Sequence, residues 1–437
     1  MIFNKSGHLF KNLRFTLGET ILKVTDSYTY LGITFKPSGS FRQALFDLGD
    51  KARRAYFKFR RHDTSNNVKL SLKFFDVLVK PILMYCAEVW AVLRCPRLCD
   101  SNLIESADKA IYERLNLTLS KYLLGVRRNT SNLATRGELG RYPLLLDFLF
   151  HTQCFKSRIS TGKGLVQSAY AESLELGPNS WANILKTLPE RLSCFDDYGY
   201  FKHDRLLDLY KRLWHAELHK PSPNKLATLA SVKNTSEMEC YVTMLPIHAR
   251  RDFAKLRTSS HCLEIEVGRY QNPSIPQAER ICKLCSSNCV EDEKHFLVEC
   301  PYYDITRKEI IKKYKDIIPF NFENTINCFE HLFSCSKGFP PTTKLACSLA
   351  MSLFDVRKQY FSFTELLMSM STSTVLRSGR ISKPPDRFTI TRVASGRVQK
   401  SRKKRELANT TLQKNIFALI SRENLLSTVS VLVVPNL

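Results

Sequence analysis

No stretch of this 437-residue chain is apolar for long enough to span a bilayer, and its opening, MIFNKSGHLFKNLRFTLG, has no apolar run of the length a secretory signal needs. The most apolar run, 429–434, is far too short. With no visible route to an oxidising compartment, the 14 cysteines are expected to be reduced thiols or metal ligands. The sequons at Asn116, Asn129, Asn234 and Asn409 are then expected to stay unmodified, and the expected location is intracellular, in cytoplasm, nucleus or both. Internal repeats are absent as well. Acidic residues are scarce: 41 Asp and Glu face 66 Lys and Arg, a formal net charge of +25. Such an excess concentrates polyanions, which points to nucleic acid or an anionic membrane surface. The motifs below favour nucleic acid, with no membrane and no small-molecule substrate.

What is present is a globular composition, 43% hydrophobic and 24% charged, in a chain long enough for roughly two to four domains. Residues 1–36 read as short strands over 1–3, 13–17, 21–24 and 28–35, with a hairpin around Gly18-Glu19. Strands this short cannot bury a face unaided, so further sheet or helix is expected beside them, and an N-terminal truncation with it.

Ser40 with Gln43 makes a capping-box pattern at the start of a helix. Its core stripe is Phe41, Ala44, Leu45, Leu48, Ala52, Ala55, Tyr56 and Phe59. Another face carries Lys51, Arg54, Lys58 and Arg61, with Arg53 and Arg60 beside them and only Asp47 and Asp50 as acids. That is either a solvated face or a ridge of cations matching a phosphate backbone. The span 70–93 is apolar nearly all round and is predicted as one central buried helix kinked by Pro81. A third helix over 101–124, capped by Gly125, completes a three-helix bundle.

Helices separated by glycine and proline fill 126–270, and GELGRYPLL (137–145) reads as a tight turn entering a helix. Asp196-Asp197 is one acid pair in a Gly-containing loop and is read as a solvated turn rather than a magnesium site. After a helix with Tyr302, Ile305, Ile310, Ile311 and Tyr314 on its apolar side, one more is predicted over 342–368. From about 372 the chain turns rich in Lys, Arg, Ser and Pro and is expected to be disordered. There Lys400, Arg402, Lys403, Lys404 and Arg405 form a basic cluster, readable as a nuclear localisation signal or a nucleic-acid tail.

The densest chemistry lies in ERICKLCSSNCVEDEKHFLVECP (279–301), where Cys282, Cys285, His295 and Cys300 are spaced C-x2-C-x9-H-x4-C. Zinc takes four tetrahedral thiolate and imidazole ligands, and a two-residue gap lets a tight knuckle turn the first two sulfurs inward. Cys289 is an alternative ligand, and buried thiols brought together by chance are the rival reading. A filled four-ligand set leaves no place for water, so one structural zinc ion is expected, and no magnesium site.

In order and separation these stretches resemble the carboxy-terminal half of the reverse-transcriptase polyprotein of non-LTR, LINE-type retrotransposons. MIFNKSG resembles the segment just after the palm's lysine motif, and Tyr30-Leu31-Gly32 is similar to the family's primer grip. The basic helix around Lys51-Ala52 and PILMYCAEVW (81–90) resemble the thumb, with Cys86 where the family usually has glycine. GELGRYPL (137–144) is similar to the ELGR-P-L signature, and the stretch from EVGRYQN to PYYDITR to the terminal zinc-knuckle region. The resemblance covers roughly 1–370, patchily between 150 and 240.

It implies a mainly α fold: palm-edge strands over 1–37, a helical thumb-like bundle over 38–145 and a helical connecting region over 146–270. A CCHC zinc knuckle over 271–308, C-terminal helices over 309–371 and a basic, largely disordered tail over 372–437 follow. The implied function is that of a truncated reverse-transcriptase-derived protein binding RNA or an RNA/DNA duplex. Lys51, Arg53, Arg54, Lys58 and Arg61 would grip the backbone, Tyr30, Leu31 and Gly32 would place a primer end, and the knuckle would touch RNA. The family's palm carboxylates are expected upstream of residue 1, and Cys194-Phe195-Asp196-Asp197 departs from the Phe/Tyr-x-Asp-Asp motif, so polymerase catalysis is not expected of this chain. The rival readings are a zinc-stabilised protein-interaction adaptor and a non-functional remnant of a decayed element.

Overall fold

The structure is a computed structural model that describes residues 1, 3, 14–62, 64–194, 201–221, 225–318, 325–334 and 340–375. The acid pair Asp196-Asp197 and the basic cluster at 400–405 lie outside the described residues. The described fold is mainly helical, with two small two-stranded sheets near the N-terminus. Residues Met1–Leu367 form one compact unit.

Strands β1 (Phe15–Leu17) and β2 (Thr20–Leu22) pair antiparallel, with Leu17 opposite Thr20, so the chain reverses at Gly18-Glu19 as expected. The stretch 28–35 is not one strand but a second hairpin, β3 (Tyr28–Tyr30) and β4 (Ile33–Phe35). Its two-residue turn has Leu31 at φ 46° and Gly32 at φ 81°. Two consecutive left-handed residues make the turn whose twist matches that of the paired strands, and glycine takes that conformation freely. Alternating β residues alone do not announce this reversal.

Helix α1 (Arg42–Arg60) buries Ala44, Leu45, Leu48, Ala52, Tyr56 and Phe59 of the stripe read from its periodicity, while Phe41, just before the helix, and Ala55 are only partly buried. Ile33 of β4 packs with Ala44 and Leu48, which ties the second hairpin to α1. The capping box does not form. Ser40 Oγ accepts from Arg42 N at 3.3 Å, while Gln43 donates forward to Asp47 at 2.9 Å, one turn along the helix.

The single helix expected over 70–93 is three: α2 (Val68–Leu78), α3 (Lys80–Met84) and α4 (Ala87–Arg94). Pro81 opens α3 instead of kinking a longer rod, because in the first turn its missing N–H leaves no bond unmade. Cys86, at φ 55°, makes the second break. Nor is the span buried all round, since Val77, Leu78, Tyr85 and Val89 face outward. The helix expected over 101–124 also divides, into α5 (Leu103–Lys109) and α6 (Glu113–Leu124). The break lets Glu113 turn inward at the start of α6, where it accepts from Asn116 at 2.8 Å and from Leu144 N at 2.9 Å. Gly125 caps α6 as read.

Helix α7 (Asn132–Leu139) ends at left-handed Gly140, and Pro143 precedes α8 (Leu144–Thr161), the turn read in GELGRYPLL. Ion pairs pin α7: buried Arg136 meets Asp108 and Glu113, buried Glu138 meets Arg257, and just beyond the helix Arg141 grips both oxygens of partly exposed Asp76. Asn116 is fully buried in this network, so its sequon offers no acceptor to a glycan.

The chain continues through α9 (Leu165–Glu175), α10 (Trp181–Arg191), α11 (His203–Leu218), α12 (Ala227–Val232), α13 (Cys240–Met244), α14 (Ile247–Arg257) and α15 (Glu264–Val267). Beyond the knuckle come α16 (Asp304–Lys312), α17 (Thr325–Phe333) and α18 (Pro340–Val375). In α16, Ile310 is buried but Ile305, expected on the same apolar side, is exposed. One core runs from Leu45 to Phe354 and takes in Cys282, Phe296, Leu297 and Cys300, so the knuckle shares the core of the helices. Among the described residues, no helix is long and apolar enough to cross a membrane.

Candidate metal centre

Two local devices assemble the cysteine cluster. An antiparallel bridge between Ile281 and Val290, with Cys282 N donating to Cys289 O at 2.9 Å, closes a knuckle that holds Cys282 and Cys285 on its inner side. Asp292 then accepts from His295 N at 2.8 Å and starts a single wide helical turn, His295–Glu299. The turn is closed by Cys300 N donating to His295 O at 2.7 Å, which brings His295 and Cys300 back toward the knuckle. Wide turns of this kind are often found where side chains must converge on a site.

The ligand atoms of Cys282, Cys285, His295 and Cys300 all lie within 4.8 Å of one another, and the group can hold one metal ion. Cys282 Sγ is 3.9 Å from Cys300 Sγ, and Cys285 Sγ is 3.4 Å from His295 Nε2. A tetrahedral ion bound at about 2.3 Å to sulfur and about 2.0 Å to nitrogen sets these two edges at ~3.8 and ~3.5 Å, close to the distances found. Cys289 is exposed and its thiol donates to Ser287 O at 3.3 Å. It stays outside the ligand set, which closes the alternative that spacing left open.

The four ligand atoms share protons among themselves. A hydrogen bond from the Cys300 thiol, aided by one from His295, draws the Cys282 thiol down to about 3 against the effect of burial. The same bond with Cys282, together with burial, pushes the Cys300 thiol up. The bond to Cys282 holds His295 up at about 9, although burial opposes it. A metal ion replaces these shared protons with direct bonds to the same sulfurs.

Sequence reading missed what surrounds the ligands. Glu291, fully buried, lies 3.7 Å from Cys282 Sγ and accepts from Glu264 N at 2.8 Å. Arg357 of α18 donates to both Glu291 oxygens, one at 2.9 Å, and to Cys262 O at 3.3 Å. Burial raises the Glu291 carboxyl to about 7, with Arg357 opposing. Phe296 packs on Phe354 with ring centroids 4.7 Å apart, so α18 lies against the cluster. No local motif signals this, because Arg357 stands 66 residues beyond Glu291. With four protein ligands and α18 packed beside them, the arrangement suits a structural ion.

The residues read as nucleic-acid contacts fall into two groups. Lys51 Nζ reaches Gly32 O at 3.4 Å, and Tyr85 donates to Leu31 O at 2.7 Å, so Tyr30, Leu31 and Gly32 form an exposed turn beside Lys51. Arg54 and Lys58 further along α1 and Arg61 just past its end are exposed and, among the described residues, make no ion pair. Arg53 is exposed but paired with Asp50 at 2.6 Å. Arg60 is withdrawn, its guanidinium 3.6 Å above the ring of Tyr122. No known protein family, curated protein or solved structure matches this chain.

Proposed function

We propose that this chain is a nucleic-acid-binding protein derived from the carboxy-terminal half of a LINE-type reverse transcriptase, with one structural zinc ion in the Cys282, Cys285, His295 and Cys300 site. The observation that carries the reading is the row of unpaired cations Arg54, Lys58 and Arg61 on a rigid helix, leading to Lys51 beside the Tyr30-Leu31-Gly32 turn. Long-stemmed cations at helical spacing follow a phosphate backbone without reading sequence. Three thiolates and one imidazole in a closed tetrahedral set favour zinc over harder ions. A further detail agrees with the ancestry. Cys86 stands where the family usually has glycine, and its φ of 55° is the conformation that favours glycine.

The preferred ligand is RNA or an RNA/DNA duplex, and the location is intracellular, in cytoplasm or nucleus. Free cysteines, such as exposed Cys154 and Cys262, suit a reducing compartment. We assign no catalytic residue. The test is binding of the purified full chain to RNA and RNA/DNA duplexes across a salt series. Each phosphate contact is expected to contribute about 0.9 to the log–log slope on a duplex, and Arg54→Gln/Lys58→Gln/Arg61→Gln to lower both affinity and slope. Absence of any salt-dependent binding ends the proposal. Affinity for a protein partner with a flat salt response supports the adaptor instead.

A further inference from the structure

Helix α1 has a second exposed stripe, well away from Lys51. Phe46 and Phe57 are 44% and 51% exposed. The step from 46 to 57 is three helical turns to within about 20°, which stacks the two rings along one face about 16 Å apart. Arg42 and Arg53 fall on the same stripe, and Arg54 and Arg61 form its shoulder. The Arg42 guanidinium lies 5.8 Å from the centre of the Phe46 ring. The Phe57 ring is propped edge-on by fully buried Tyr56, with centroids 5.3 Å apart. Asp50 is the acid on this stripe, and Arg53 neutralises it at 2.6 Å.

Half-exposed phenyl rings add little to the core of α1, whose buried face lies on the other side. Rings held rigidly between guanidinium groups are the chemistry that grips unpaired nucleotides: bases stack on the rings while cations meet the phosphates. A duplex keeps its bases stacked on one another and offers such rings nothing. An apolar protein surface would leave Arg42, Arg54 and Arg61 without counter-charges.

We propose that Phe46 and Phe57, flanked by Arg42, Arg54 and Arg61, form a stacking platform for a single-stranded segment of nucleic acid. The proposal rests on the nucleic-acid reading above and narrows it to strand state. The full chain would be titrated with a fluorescein-labelled oligouridine and with an RNA duplex of equal length, over a range of salt. Phe46→Ala/Phe57→Ala is expected to weaken single-strand binding by about 10-fold or more while leaving the salt slope and duplex affinity unchanged. Phe46→Trp/Phe57→Trp is expected to keep single-strand affinity. Both positions are exposed, and far-UV circular dichroism checks that each variant stays folded. Unaltered single-strand affinity in the alanine variant, or an equal loss on the duplex, overturns the platform while the broader reading stands. Wild-type protein that binds neither probe with a salt dependence removes both.

Discussion

Arg257 donates from Nε and Nη2 to the two carboxylate oxygens of Glu138, at 2.9 and 3.0 Å, with both side chains fully buried. Tyr241 adds a hydrogen bond to the same carboxylate at 2.7 Å. Burial alone pushes the Glu138 carboxyl up, but Arg257, then Lys233, outweigh it and hold the group below its ordinary value. The folded chain therefore binds a proton at Glu138 less readily than the unfolded chain does. The stability from this source is fully present above the unfolded value, about pH 4.3, and is lost as pH falls through the lower folded value.

Glu138→Gln is accordingly expected to cost about 3 kcal/mol at neutral pH, because it leaves buried Arg257 with Glu239, at 3.1 Å, as its remaining carboxylate. Urea denaturation measures this. The variant should also show a shallower fall in stability below about pH 4 than wild type. A neutral-pH loss no larger than the ~1 kcal/mol of an exposed pair would contradict the buried clamp.

Zinc binding makes its own prediction. Cys282→Ser and Cys300→Ser are each expected to lose the ion and to speed amide exchange over residues 280–303, because metal binding and local folding are one process. Cys289→Ser should retain full zinc content, since that thiol faces Ser287 O instead of the site. Elemental analysis of purified protein decides it: equal zinc in wild type and the Cys282→Ser/Cys300→Ser double variant would show that the ligands are wrong.

Arg357 carries the third prediction. It neutralises Glu291, which touches Cys282, so Arg357→Met is expected to weaken zinc affinity by about 10–100-fold, measured by competition with a chromophoric chelator. Conversely, chelating zinc should raise amide exchange in α18 around Phe354, whose ring rests on Phe296. Unchanged zinc affinity would confine Arg357 to helix packing.

Features set within a few residues were legible beforehand. The α1 stripe from Ala44 to Phe59, the reversal at Gly18-Glu19 and the Gly125 cap all came from spacing or from one residue's backbone preference. Features settled by distant partners were not. The inward turn of Glu113, which divides 101–124, rests on Arg136 and the N–H of Leu144, 23 and 31 residues away. Composition also misled about charge. Arg136, Arg250, Arg257, Arg280, Arg307 and Arg357 count toward the +25, yet all are buried against carboxylates or carbonyls.

The sequence by itself determined which four side chains gather, because Cys282, Cys285, His295 and Cys300 sit close enough along the chain for one knuckle and one wide turn to bring them together. It likewise set which side of α1 goes inward. Only the tertiary structure decided that Cys289 stays out, that Glu291 and Arg357 back the Cys282 sulfur, and that α18 lies beside the cluster. It also decided which arginines of the basic chain stay exposed and which are drawn into the core. The reason is physical: local spacing fixes which atoms can converge, whereas the choice among partners far apart in sequence falls to the burial of the whole core.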